Sequence, residues 1–159
     1  TQRGEKELLE LLSHADRRVR LEAQWELAER GTNSFTGLLT TAKQSKVQLA
    51  RIHSLWAIGQ IARPLKRGYT FGAELYELLP LLEDRDDEVR SQTALVLGDG
   101  RLSNALRKTS DLLKDANPRV RRAAMESIAR HFVDGRIRMH FTKTDELTLK
   151  AAQQVDRAL

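Results

Sequence analysis

The chain has 159 residues, a formal net charge of +5 and only 5% aromatic residues. That length holds one domain with a buried core but not two comfortable ones. It contains no cysteine, which excludes a disulfide framework, a thiolate metal site and c-type haem attachment within it.

The first expected unit, residues 5–31, pairs helix A at about 5–13 with helix B at about 17–30, and Gly31 supplies the stop. The second, 34–63, starts on Ser34 as an N-cap, and its helix B runs from about 46 to 62. Arg63-Pro64 ends it, because a residue before proline is biased out of the α region. An inserted loop follows from Leu65 to Gly72. The third unit, 73–98, pairs about 73–82 with 87–98. The fourth, 103–132, pairs about 103–114 with 118–132, where Pro118 suits a first helical turn.

Beyond Phe132 the helical period fails. Over 133–144, Ile137, Met139 and Phe141 alternate with Arg136, Arg138 and His140, as in an extended segment. A final helix is expected over 145–159, capped by Asp145 or Thr144. The chain opens Thr1-Gln2-Arg3-Gly4 without an initiator Met and stops inside that helix, as expected of a piece of a larger protein. No apolar run reaches the roughly 18 residues of a membrane span, so no membrane insertion is expected.

The B helices repeat one another. Val19, Ala50, Val89 and Val120 are equivalent, at intervals of 31, 39 and 31 residues, so the loop is an eight-residue insertion in a regular period. Such a period belongs to stacked helix pairs, none of which buries its apolar face alone. The expected fold is all-α: a right-handed α-α superhelix of about four helix pairs plus a C-terminal helix. Counting from the valine as zero, positions 0, +4, +7 and +8 share one face. They are Val19, Ala23 and Leu27; Ala50, Ser54, Ala57 and Ile58; Val89, Thr93, Val96 and Leu97; Val120, Ala124, Ser127 and Ile128. These are the expected core.

Leu-Leu-x-Asp-x-x-x-x-Val-Arg-x-x-Ala, with Asp84/Arg90 and Asp115/Arg121, resembles the HEAT repeat, in the short form also seen in phycobilisome-lyase-like repeats. The likeness covers about residues 5–132 and is sharpest in the third and fourth units. A narrower likeness, carried by Leu11 to His14, Arg17 to Ala23 and His53 to Ala57, is to the HEAT segment of large bacterial proteins with a dehydrogenase-like β-propeller and a c-type haem domain. It implies the middle segment of an exported or periplasmic redox protein, with the haem chemistry outside this chain. HEAT repeats as a family are mostly scaffolds that bind partners along a curved surface, so the resemblance implies a non-enzymatic interaction domain without a cofactor.

Three constellations are candidates for function. Arg20, Arg51, Arg90 and Arg121 share one repeat position. They form either an anion-binding stripe or, as we prefer, structural ties to turn groups such as Asp84 and Asp115, because buried turns need donors. Position +6 holds Trp25, Trp56 and Leu95, and position +2 holds Leu21, Ile52 and Ser91, opposite the core arc. Leu21, Trp25, Ile52 and Trp56 read either as an exposed partner-gripping surface or, more ordinarily, as residues covered by neighbouring helices or flanking sequence. The inserted loop brings Lys66, Arg67, Tyr69 and Phe71, as a binding loop or a spacer.

The basic window from Arg101 to Arg138 has ten basic and four acidic residues, an excess of +6. The alternative reading is a nucleic-acid-binding domain that resembles the HEAT-like DNA glycosylases, a likeness that implies DNA held against a basic concave face. Mixed charge of this kind more often forms a solvated surface. The four histidines are nowhere spaced i,i+4, and no nucleotide-binding or nucleophile motif occurs, so no catalytic or metal residue is assigned. The expected partner is therefore another protein or a neighbouring domain of the same chain.

Overall fold

The computed structural model describes residues 3–62, 72–100, 102 and 105–132. Helices α1 (Glu5–Leu11) and α2 (Arg17–Glu29) form the first pair, and α3 (Phe35–Gln44) and α4 (Gln48–Ala62) the second. The short α5 (Gly72–Leu75) continues as a 3-10 helix over Tyr76–Glu83 and pairs with α6 (Asp87–Asp99). Helix α7 (Ala105–Asp111) tightens into a 3-10 turn over Leu112–Lys114 and pairs with α8 (Pro118–Phe132). The B helices stack in chain order, α2 on α4, α4 on α6 and α6 on α8, with the A helices behind them. No strand occurs among the described residues. This is an all-α helical repeat. The extended segment and terminal helix expected over 133–159 lie outside the described residues.

The expected core face largely points inward. Ala23, Leu27, Ala50, Ala57, Ile58, Val89, Leu97, Val120 and Ala124 are fully buried, together with Leu8, Leu12, Leu38, Leu78 and Leu82 from the A side. Val19 is the exception and is half-buried, since no earlier unit among the described residues covers it. Small residues let the stack close. A Cβ on Gly98 would sit 2.7 Å from the Ser127 Cα, so α6 and α8 touch backbone to backbone there. Gly31, at φ 64°, takes the left-handed conformation expected at the end of the first unit.

Two local expectations need correction. Residues 73–82 do not form one α-helix: Pro80 has no N–H for the carbonyl four residues back and its ring crowds it, so the segment winds as a 3-10 helix. Ser34 does not cap α3 through its side chain. It is itself helical, at φ −88° and ψ −5°, closing a 3-10 turn over Gly31–Ser34, and its buried hydroxyl has no partner.

The caps that do operate lie at the turn before three of the four B helices. Asp16 accepts from the Arg18 N–H at 2.8 Å, Asp86 from Glu88 at 3.0 Å and Val89 at 3.3 Å, and Asn117 from Arg119 at 2.8 Å. The equivalent residue before α4 is Val47, which has no side-chain acceptor and is 42% exposed. Replacing Val47 by Asp should stabilise the protein by about 1 kcal/mol, by supplying the missing acceptor and removing exposed hydrocarbon. A raised midpoint in urea unfolding checks it, and an unchanged or lowered midpoint speaks against this account of the cap.

Candidate functional site

The repeat places its arginines at the turns, and each one satisfies backbone carbonyls there. Arg20 Nη1 donates to His14 O at 2.7 Å and Ala15 O at 2.8 Å, and Arg51 Nε to Ala42 O at 2.7 Å. Arg90 Nη1 donates to Asp84 O at 2.7 Å, and Arg121 Nη1 to Asp115 O at 2.9 Å and Ala116 O at 3.0 Å. The middle two also reach the next unit. Arg51 forms a two-pronged ion pair with Asp84. Arg90 does the same with Asp115, at 2.8 and 3.0 Å. Hydrogen bonds from Arg90 hold the Asp115 carboxyl below the usual carboxylate range. Burial works against Asp84, but its bonds from Arg51 and the Asp86 N–H outweigh that and lower it too.

Arg20 has no such carboxylate among the described residues, because Ser45 stands where the third and fourth units have Asp84 and Asp115. Its Nε donates instead to His53 Nε2 at 3.2 Å, and the opposite ring nitrogen, Nδ1, meets Gln24 Oε1 at 2.7 Å. Arginine only donates, so Nε2 must accept and the imidazole proton sits on Nδ1. Burial, reinforced by the charges of Arg20 and Arg17, pushes the His53 pKa down to about 4.

The sign of the resulting acid sensitivity follows. In the unfolded chain His53 titrates near 6.5, so between pH 6.5 and 4 unfolding takes up a proton. Stability is complete above that window and falls as pH drops through it. The full loss is about 3 kcal/mol for the whole shift and nearer 2 once solvent screening is allowed for. Below about pH 3.8, protonation of Asp84 and Asp115 adds a second loss. Urea unfolding of the wild type and of His53→Gln from pH 7.5 to 4.5 checks this: the variant should lose less stability across the window.

On the side opposite the core, Trp25 on α2 is 52% exposed and Trp56 on α4 is 37% exposed. They line a groove of about 320 Å³ with Leu21, Gln24, Gly59, Gln60, Gln92, Leu95, Val96, Asp99 and Arg130. Trp56 is fixed from two sides. Its Nε1 donates to Gln92 Oε1 at 2.8 Å, and its ring stands edge-on to His53 with centroids 5.0 Å apart. Gln92 in turn donates to Glu88 Oε1 at 2.7 Å. The Arg130 guanidinium donates to Leu95 O at 3.2 Å and pairs with Asp99 at 2.9 Å, holding α8 against α6 at the far wall. A second depression of about 230 Å³ shares Gln92 and Leu95 and continues over Glu88, Ser91, Arg119, Arg122, Ala123 and Glu126.

Of the expected surface residues, Leu21, Trp25 and Trp56 line the groove. Ile52 does not: at 5% exposure it is buried. Lys66, Arg67, Tyr69 and Phe71 lie outside the described residues. Reading by position missed Gln92, at position +3, and Gln60 and Arg130, both at +10, which reach the groove from outside the core arc. It also missed Leu49, 42% exposed and one turn before His53. Leu49 sits at the same repeat position as Glu88 and Arg119, so comparing units at that position was the available signal.

The described residues contain no group of three His, Cys, Asp or Glu that could hold a metal ion. No described helix is long and apolar enough to cross a membrane. Paired helices, inter-unit arginine ties and stacked B helices define an α-helical repeat protein. Residues 75–136, covering the third and fourth units, match the family model for HEAT repeats, which supports a HEAT-repeat domain. HEAT repeats are generally protein-interaction scaffolds without catalysis. No curated protein matches the chain.

Proposed function

We propose that this chain is a non-enzymatic scaffold that docks a partner protein, or a neighbouring domain of its own chain, in the groove of Trp25 and Trp56. The observation that carries this reading is the pair of large aromatic side chains on adjacent B helices, both exposed around one groove. Aromatic side chains in such a position are the usual energetic anchors of interfaces. Leu21 is assigned to the same contact surface, and Lys66, Arg67, Tyr69 and Phe71 are proposed as further partner contacts from their place in the inserted loop of the sequence alone. The alternative, nucleic-acid binding, fits this groove poorly, because the exposed carboxylates Glu22 and Glu29 stand on the Trp25 face of α2. A place within an exported redox protein rests on the resemblance of the Leu11–His14, Arg17–Ala23 and His53–Ala57 stretches alone.

Selection of random peptides on the whole chain, with counter-selection on a Trp25→Ala/Trp56→Ala variant, tests the groove. Enrichment that depends on the two tryptophans supports docking there. Peptides that bind both proteins equally would remove the groove from the function.

A further inference from the structure

The groove repeats its own spacing. Trp25, Trp56 and Leu95 occupy one repeat position on α2, α4 and α6, and packed helices stand roughly 8–10 Å apart. An extended ligand crossing the B helices therefore meets an apolar station about every 8–10 Å. A polyproline II segment has three residues per turn and rises about 3.1 Å per residue, so one of its faces recurs about every 9.3 Å.

The polar groups discriminate further. The Trp25 indole N–H has no hydrogen-bond partner among the described residues and stands as a free donor at the groove. A helical ligand has already satisfied its backbone internally and has little use for such a donor. A polyproline II backbone carries free carbonyls along its whole length.

Charge then sets the composition. Glu22, Trp25 and Glu29 are spaced i, i+3 and i+7 and share one exposed face of α2. Neither carboxylate forms an ion pair among the described residues, and α4, which supplies the next station, exposes no charge of its own. Arg18, one turn before Glu22 on the same face, is paired with Asp16, so the α2 surface beside the groove is aromatic and on balance acidic.

Resting on the docking role proposed above, the geometry points to the occupant: a proline-rich, polyproline II segment with Arg or Lys at the end lying over α2. Its apolar residues, three apart, sit against Trp25, Trp56 and Leu95. Its basic end meets Glu22 and Glu29, and a backbone carbonyl accepts from the Trp25 indole.

The test uses synthetic peptides and the whole chain. One probe is three Pro-Leu-Pro triplets with two arginines at one end, made with the arginines at either terminus. Its controls replace arginine by glutamate, or proline by glycine and serine, and a further probe is an amphipathic basic helix of equal charge. The arginine–proline peptide in one of its two orientations should bind saturably and shift the tryptophan emission. Trp25→Ala should weaken it about tenfold or more. Trp25→Phe, which keeps a ring and loses the N–H, should weaken it less but measurably. Glu22→Lys with Glu29→Lys should reverse the preference between the arginine and glutamate versions. Both glutamates and Trp25 are exposed, so these variants should fold, with circular dichroism as the check.

Equal binding of the glycine–serine control, or indifference to Trp25, would overturn the assignment. Tighter binding of the helical peptide would overturn it too, while leaving the docking groove standing. Failure of every peptide, together with a selection that ignores both tryptophans, would remove groove and ligand alike.

Discussion

Val120→Asp should abolish the cooperative unfolding transition of the fourth unit, and with it most of the ordered helix of α8. Val120 is fully buried on the face of α8 that meets the rest of the core, among Ala124, Leu112 and Val89 of the same cluster. Of the two arginines flanking it, Arg119 is exposed and Arg121 directs its Nη1 to the turn carbonyls of Asp115 and Ala116. An unpaired carboxylate there costs several kcal/mol, a large part of the 5–15 kcal/mol that holds a domain of this size together. Circular dichroism should show reduced helix at 25 °C. Limited proteolysis should cut within residues 105–132, because unit stabilities in a stacked repeat are partly independent. Ala124→Asp should behave alike. A melting curve like the wild type's for either variant would refute the placement of this face in the core.

Asp115→Ala should cost about 3 kcal/mol, nearly as much as a core substitution. Asp115 accepts two hydrogen bonds from Arg90 on α6 and a third from the Asn117 N–H at 2.8 Å. Both partners of the ion pair are largely shielded, with side-chain exposures of 17% and 9%. Removing the carboxylate leaves Arg90 shielded with its charge unmatched, and that uncompensated charge is the main cost. Arg90→Leu with Asp115→Ala should therefore lose less than the sum of the two single changes, since the double variant buries no lone charge. Urea unfolding of the four proteins of that cycle measures it. Additive losses would show that the pair contributes nothing beyond its separate contacts. The outer bridges Arg122–Glu126 and Lys108–Glu83, at 77%/42% and 49%/76% exposure, should by contrast be almost silent.

These two results bear on how far a single chain of letters can be read. The period between Val19, Ala50, Val89 and Val120 fixes four B helices, because a residue at 0, +4, +7 and +8 can only lie on one helical face. The core residues of α4, α6 and α8 follow from that arithmetic. Pro118 and the Asp or Asn before three of the B helices mark their starts for equally local reasons: a missing N–H and a side-chain oxygen within reach of the next amides. Local chemistry misled at Ser34, where the cap it offers is displaced by the 3-10 turn after Gly31, and over 73–82, where an apolar period hid the effect of Pro80.

The candidate site was legible only in part. Trp25 and Trp56 stand out because a wheel places them away from the core, yet the same wheel places Ile52 beside them, and Ile52 is buried. The wheel knows one helix at a time. How deeply position +2 is covered depends on how closely the next helix packs, and that closeness comes from small residues such as Gly98 meeting Ser127.

The sequence by itself determined the elements of this protein: an all-α repeat, its period, its core face and the arginines at its turns, since each of these follows from spacing along one chain. Only the tertiary structure decided what those elements do to one another. It joined Arg51 to Asp84 and Arg90 to Asp115 across units, gave Arg20 a neutral histidine in place of a carboxylate, and opened a groove between Trp25, Trp56 and Gln92. Those facts depend on distances between residues about 25 to 36 positions apart, which stacking sets and sequence spacing does not.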